Sequence, residues 1–186
     1  MEESDWIAIF ALLFAVLGFV VGLFQYRKAQ RWKIAEFVAN EFKEFENDPV
    51  VADAMLILDW NPIKTPLAIM AETGRKLSEY PINHNDLEES LRHHGDVPQG
   101  FSEKQSILRQ TFDHFFAKLG RFEHYIDAVL INKSDLDPYI TYWMDALCGN
   151  GQILSRETCQ KIWKFLKDYD YDDVVMLLSR YGCRFA

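Results

Sequence analysis

Ile7 to Phe24, IAIFALLFAVLGFVVGLF, holds no charged and no strongly polar residue across 18 positions. As a helix it extends about 27 Å at roughly 1.5 Å per residue, close to the ~30 Å hydrocarbon core of a bilayer. A helix on the surface of a soluble domain keeps one polar face, and this stretch keeps none. A secretory signal carries a basic segment before its apolar core, whereas Glu2, Glu3, Ser4 and Asp5 precede this one. No small-x-small cleavage pattern follows it either. The stretch reads as a transmembrane helix, with residues 1–6 as a short external N-terminus.

Charge sets the expected orientation. Arg27, Lys28, Arg31 and Lys33 follow the apolar run directly, and no Lys or Arg precedes it. The positive-inside rule then places the N-terminus outside and everything after the run in the cytoplasm, at the inner (plasma) membrane. Trp6 on one side, with Tyr26 and Trp32 on the other, suit the two interfaces. The same four cations are expected to contact anionic lipid head groups. Cys148, Cys159 and Cys183 form an odd set with no CxxC spacing. They read as ordinary core or surface residues of a reducing compartment.

Within the apolar run, Ala8, Ala11, Ala15, Gly18 and Gly22 follow one another at spacings of 3, 4, 3 and 4. A stripe of small residues lets two helix backbones approach closely where lipid supplies no hydrophobic drive. Gly18 and Gly22 form a GxxxG pair. The stripe predicts self-association, hence a homo-oligomer.

About 160 residues follow the run, enough for one domain with a core of its own. Aromatic residues make up 15% of the chain, which excludes a disordered tail. A net charge of −8, with its only basic concentration beside the apolar run, argues against direct nucleic-acid binding.

The remainder reads as helices separated by caps. Residues 25–47 continue as an amphipathic stalk, with Trp32, Ala35, Val38, Phe42 and Phe45 on one face. Asp48-Pro49 caps and starts a helix to about Trp60. Residues 63–82, preceded by Pro62, hold Pro66, Gly74 and Pro81 and suggest a small hairpin. Asn85 with Glu88 resembles a capping box for a short helix ending before Gly95. Ser102 with Gln105 opens the longest helix, to about Ile131, with Gly120 as a point of close helix approach. Ser134 opens the next, to Leu147. Ser155 opens another, to Lys167. The last runs from Tyr171 to Tyr181. The expected fold is all-α: a transmembrane helix over 7–24, a stalk over 25–47, and a cytosolic helical bundle over 48–186.

Phe112 to Ile126, FDHFFAKLGRFEHYI, with Asp135 to Trp143, DLDPYITYW, resembles a loose group of bacterial membrane proteins with one N-terminal span and a helical cytosolic domain. The resemblance implies an architecture and a bacterial-type host, and supplies no catalytic residue. Some small proteins of that build are antiphage membrane effectors, which suggests the same role here by analogy.

Catalytic and metal motifs are sparse. His114 and His124 are ten residues apart on one helix, about 15 Å along its axis, too far to share a metal. His124 and Asp127 are spaced to hydrogen-bond. Adjacent His93 and His94 are expected to point in different directions. Asp168, Asp170 and Asp172 have the 1, 3, 5 spacing of a calcium loop, but Asp173 and Ser179 stand where that loop needs Gly and Glu. No P-loop, GxGxxG, GxSxG or HExxH occurs. Neither a cofactor nor an enzymatic role is expected, the remaining enzyme reading being a site assembled across distant helices. The sequence therefore points to an oligomeric membrane anchor whose bundle binds a soluble protein or small ligand. Its alternative is a gated effector that perturbs the bilayer.

Overall fold

A computed structural model describes residues 3–59, 82–150 and 153–184. The chain divides into two units, Met1–Ala39 and Asn40–Ala186. Seven α-helices account for the described residues. They are α1 Glu3–Asn47, α2 Pro49–Asp59, α3 His84–Ser90, α4 Glu103–Asp127, α5 Lys133–Cys148, α6 Arg156–Asp168 and α7 Asp172–Arg180. A 3-10 turn, His94–Asp96, follows α3. The expected hairpin lies outside the described residues, apart from Ile82, which is buried.

In the first unit α1 is a bare helix. It is the one helix among the described residues long and apolar enough to cross a membrane, and its apolar window is wholly exposed within the chain.

The second unit is organised by α4. Ser102 caps it as expected: the Gln105 amide donates to Ser102 Oγ at 3.3 Å, and the Ser102 amide donates to Gln105 Oε1 at 2.9 Å. Its inward face carries Leu108, Phe112, Phe115, Phe116 and Leu119, each at most 1% exposed. Helices α2, α3 and α7 all pack on it. Gly120 permits the close approach of α7, since a Cβ there would lie 3.3 Å from Asp173 Cβ and 3.5 Å from Val174 Cγ2. The last turns of α1 belong to this unit: Phe45 sets its ring 5.8 Å from Phe115 and 5.4 Å from Phe122.

Several boundaries differ from the sequence reading. The short helix is capped by Asn83 with Asp86, two residues before the expected box, because these two groups exchange both hydrogen bonds. Likewise Asn132 with Asp135 starts α5, not Ser134. Helix α4 stops at Asp127, where Val129 takes a left-handed conformation at φ 57°. The Leu130 amide then reaches back to the Tyr125 carbonyl at 3.0 Å. That closing geometry usually calls for glycine, and no glycine marks the stop here.

The cysteines also depart from expectation. Cys148 and Cys183, 35 positions apart, form a disulfide with a Cα–Cα separation of 5.0 Å. Cys159 is free and buried. Spacing carried no hint of the pairing, because it depends on α6 and α7 folding the chain back onto the end of α5.

Candidate functional site

The sequence placed its candidate residues on α1, and the helix sorts them by face. At 100° per residue, Ala8, Ala11, Ala15, Gly18 and Gly22 fall within an arc of roughly 80°. Arg27, Lys28 and Arg31 fall within roughly 100° on the opposite side, while Lys33 returns to the small-residue side. The described side chains of both groups are exposed. A Cβ added at Gly18 or Gly22 would meet nothing within 4 Å. Packing within the chain therefore does not explain these glycines, each of which costs a helix interior about 1 kcal/mol relative to alanine. The opposition of the two arcs follows from the registers of two separate runs, and sequence inspection of each run alone misses it.

The second unit holds its charged groups in pairs and short networks between helices. At the corner where α1 ends, Asp48 Oδ1 accepts the Val50 and Val51 amides at 3.0 and 3.3 Å, which caps α2. Its other oxygen accepts from His114 Nε2 at 2.8 Å, with Lys118 Nζ 3.5 Å away. Burial pushes the Asp48 carboxyl up, but the bonds from His114 and the two amides outweigh it and hold the carboxyl below its usual range. A shallow, open groove flanks this corner, lined by Asn40, Glu44, Asn47 and Lys118 among others. The capping role of Asp48 was legible in sequence. Its pairing with His114, 66 positions away, was not.

Between α3 and α6, Glu88 accepts from Thr158 Oγ1 and from Lys161 Nζ, each at 2.6 Å. Burial raises the Glu88 carboxyl, and these two bonds more than offset it, so it lies below the ordinary range. Arg109 of α4 lies over the rings of Phe101, Phe165 and Tyr169, 4.3 Å from the last. It also donates to the Ser90 and Arg92 carbonyls at 3.1 and 2.9 Å. Glu123, 1% exposed, takes a two-pronged bond from Arg180 of α7 at 2.6 to 2.9 Å. These groups hold helices together, and each carries its own partner.

The histidines fall into separate settings. His114 serves Asp48. His124 turns to Asp173 at 3.1 Å, not to Asp127 as the spacing suggested, because α7 brings Asp173 alongside α4. The rings of His93 and His94 lie 4.2 Å apart, which corrects the expected divergence. His93 caps the 3-10 turn through its Nδ1, and His94 Nδ1 lies 2.8 Å from the Tyr169 hydroxyl. Asp168 ends α6 and accepts from Lys164 at 2.5 Å, while Asp172 opens α7, so a helix boundary divides the acidic run. Among the described residues no group of three or more His, Cys, Asp or Glu is placed to hold a metal ion. No protein-family model, curated protein or solved structure matches this chain.

Proposed function

We propose that the chain is a single-pass membrane protein that self-associates through α1 and presents its helical unit as a docking module for a soluble protein or small ligand. The observation that carries this reading is the two-faced character of α1. One arc is small and unfilled, the opposite arc is basic, and the rest is apolar and exposed. In an assembly with the small arcs turned inward, the glycines admit a neighbouring backbone. Arg27, Lys28 and Arg31 then face outward, where anionic head groups lie.

The basic cluster after the apolar run orients the protein with its N-terminus outside and the helical unit in the cytoplasm of the inner (plasma) membrane. The acidic unit binds no nucleic acid in this reading and acts by contact, not by catalysis.

The test is the native mass of the full chain in mild detergent. The wild type is expected at a multiple of 21.8 kDa, and Gly18→Leu with Gly22→Leu at the single-chain mass. An unchanged mass in the double variant defeats assembly through this arc. A potential-sensitive dye in expressing cells separates anchor from membrane-perturbing effector. The anchor leaves the potential unchanged, and depolarisation that the double variant abolishes would replace it with the effector.

A further inference from the structure

The strongest observation outside α1 is the Cys148–Cys183 pair. Cys148 is the last residue of α5, directly before the left-handed Gly149 that ends the helix. Cys183 follows Gly182, whose φ of +85° turns the chain so that the Cys183 amide donates to the Leu178 carbonyl at 3.2 Å. Two helix ends therefore present the two sulfurs to each other, and the bond closes a ring containing all of α6 and α7.

We propose that this disulfide is a reducible latch that fastens the segment Tyr181–Arg184 to the end of α5, and that opening it frees this segment while α7 stays docked. The proposal rests on the cytoplasmic orientation proposed above. Disulfides in a thiol-reducing cytoplasm are rare, and those that occur are typically transient or redox-sensing.

The packing divides where the latch requires. Helix α7 has its own hold on the unit through Val174, Leu177 and Leu178, each at most 1% exposed, and through the Arg180–Glu123 pair. None of these depends on the sulfurs. Beyond Arg180 the hold on α5 apart from the disulfide comes from one residue, Tyr181, whose ring lies 4.0 Å from Lys133 Nζ and whose hydroxyl faces Asp137. Helix α5 in turn touches the last turns of α1 through Tyr139 and Phe42, whose rings are 5.4 Å apart. The latch thus closes on the helix that joins the unit's C-terminal segment to the base of α1.

The third cysteine does not interfere. Cys159 is 0% exposed, and its thiol donates to the Ala146 carbonyl at 3.5 Å. Burial pushes that thiol up to about 11, so it is not a thiolate at neutral pH and does not attack the disulfide.

The opening step needs two equivalents of a small cytoplasmic thiol. The first, as thiolate, attacks one sulfur; the Cys148–Cys183 bond breaks, and the departing cysteine sulfur takes a proton. The second, as thiolate, attacks the small-thiol sulfur of the mixed disulfide and expels the remaining protein cysteine, which takes a proton. Two cysteine thiols and one small-molecule disulfide result, with two electrons and two protons passed to the protein. Closure is the reverse, with the small-molecule disulfide as oxidant.

The test traps thiols with acid in cells expressing the full chain, then counts maleimide–polyethylene glycol adducts on the denatured protein. Three adducts are expected in unstressed cells, one after a diamide pulse (Cys159 alone), and three again after recovery. Three adducts throughout overturn the latch. So does one adduct throughout that a membrane-permeant dithiol leaves unchanged. Orientation is read separately: Gln160→Cys is placed in a Cys148→Ser, Cys159→Ser, Cys183→Ser background and exposed to an impermeant maleimide in intact cells. Labelling there overturns the orientation, and the disulfide becomes a permanent bond of an oxidising compartment. No labelling with an unchanging adduct count overturns the latch and leaves the orientation standing. Hydrogen exchange on the full chain in mild detergent tests the division of the packing. Reduction is expected to accelerate the Cys183 amide at least tenfold and Leu177 and Leu178 less than threefold. Equal acceleration makes the bond a structural staple and overturns the latch.

Discussion

Phenylalanine behaves in opposite ways in the two units. Phe10, Phe14, Phe19 and Phe24 of α1 are 56 to 72% exposed, whereas Phe112, Phe115 and Phe116 of α4 are 0% exposed. The ring is the same, and the neighbours in sequence differ. Between the phenylalanines of α4 come Asp113, His114, Lys118 and Arg121, which give the helix a wet side. Between those of α1 come only aliphatic residues, alanine and glycine, so no side of that helix suits water. Burying a phenylalanine side chain is worth about 1.5–3 kcal/mol. Four left in water would forfeit several times that, a cost that a bilayer around the helix would remove. The lesson is that apolar content alone does not locate a helix. The polar residues that interrupt it decide whether a fold or a bilayer covers the rings.

The sharpest way to break this comparison is to truncate one ring in each unit. Phe116→Ala is expected to destabilise the helical unit by about 3–5 kcal/mol, since it empties a fully enclosed site between α4 and α6. Phe14→Ala is expected to leave the unfolding of that unit unchanged within about 0.5 kcal/mol. Denaturant unfolding of the full chain in one detergent, followed by near-ultraviolet circular dichroism, measures both. Equal losses would mean that α1 is part of the core.

How much of this was legible follows from the range of each interaction. Local chemistry was: the apolar run, the Ser102–Gln105 and Ser155 caps, the inward face of α4, and Gly120 as a packing point all depend on residues within a few turns. Features that need two distant segments were not. Nothing near Cys148 announces Cys183, nothing near Asp48 announces His114, and nothing near His124 announces Asp173. Val129 was missed for another reason: a β-branched residue rarely takes a left-handed φ, so a rule that looks for glycine passes over it. On α1 the candidate residues could be named from spacing alone, because one helix needs no partner to be read. What the candidates do depends on a neighbour outside the chain, and single-chain geometry supplies only their arcs.

A cation deletion sharpens the comparison at intermediate cost. Arg180→Met strands the Glu123 carboxylate inside the helical unit. Loss of a buried pair's partner costs about 3–5 kcal/mol, and the 37% exposure of the Arg180 side chain reduces this to about 2 kcal/mol. Arg31→Met removes an equal charge from exposed α1 and is expected to change the unit's stability by less than about 0.5 kcal/mol. The same denaturant series reads both variants. If Arg31→Met costs as much as Arg180→Met, the cation of α1 belongs to the fold and not to a membrane surface.

The smallest effect is a dependence on pH confined to the helical unit. His84, in the first turn of α3, is part-buried with Nε2 3.2 Å from the Ile57 carbonyl. Burial lowers the imidazole below its ordinary value, against the upward pull of the Ile57 carbonyl and of Glu88. A lowered folded value means that the unfolded chain takes up the proton first. The contribution is fully present above the unfolded value of about 6.5 and is lost as pH falls from there through the folded value. The unit is therefore expected to lose stability on moving from pH 7.5 to pH 5.5, and His84→Gln to flatten that slope while keeping an amide to donate to Ile57. Asp48 adds a separate loss at lower pH, from about 4 downward, because its carboxyl is held below the usual range. The helicity of α1, which presents only apolar and small residues between Ile7 and Phe24, is expected to stay constant over the same range. A pH slope that survives in His84→Gln would assign the titration to another group. A matching loss of α1 helicity would tie the two units together in a single transition, against the contrast drawn from their phenylalanines.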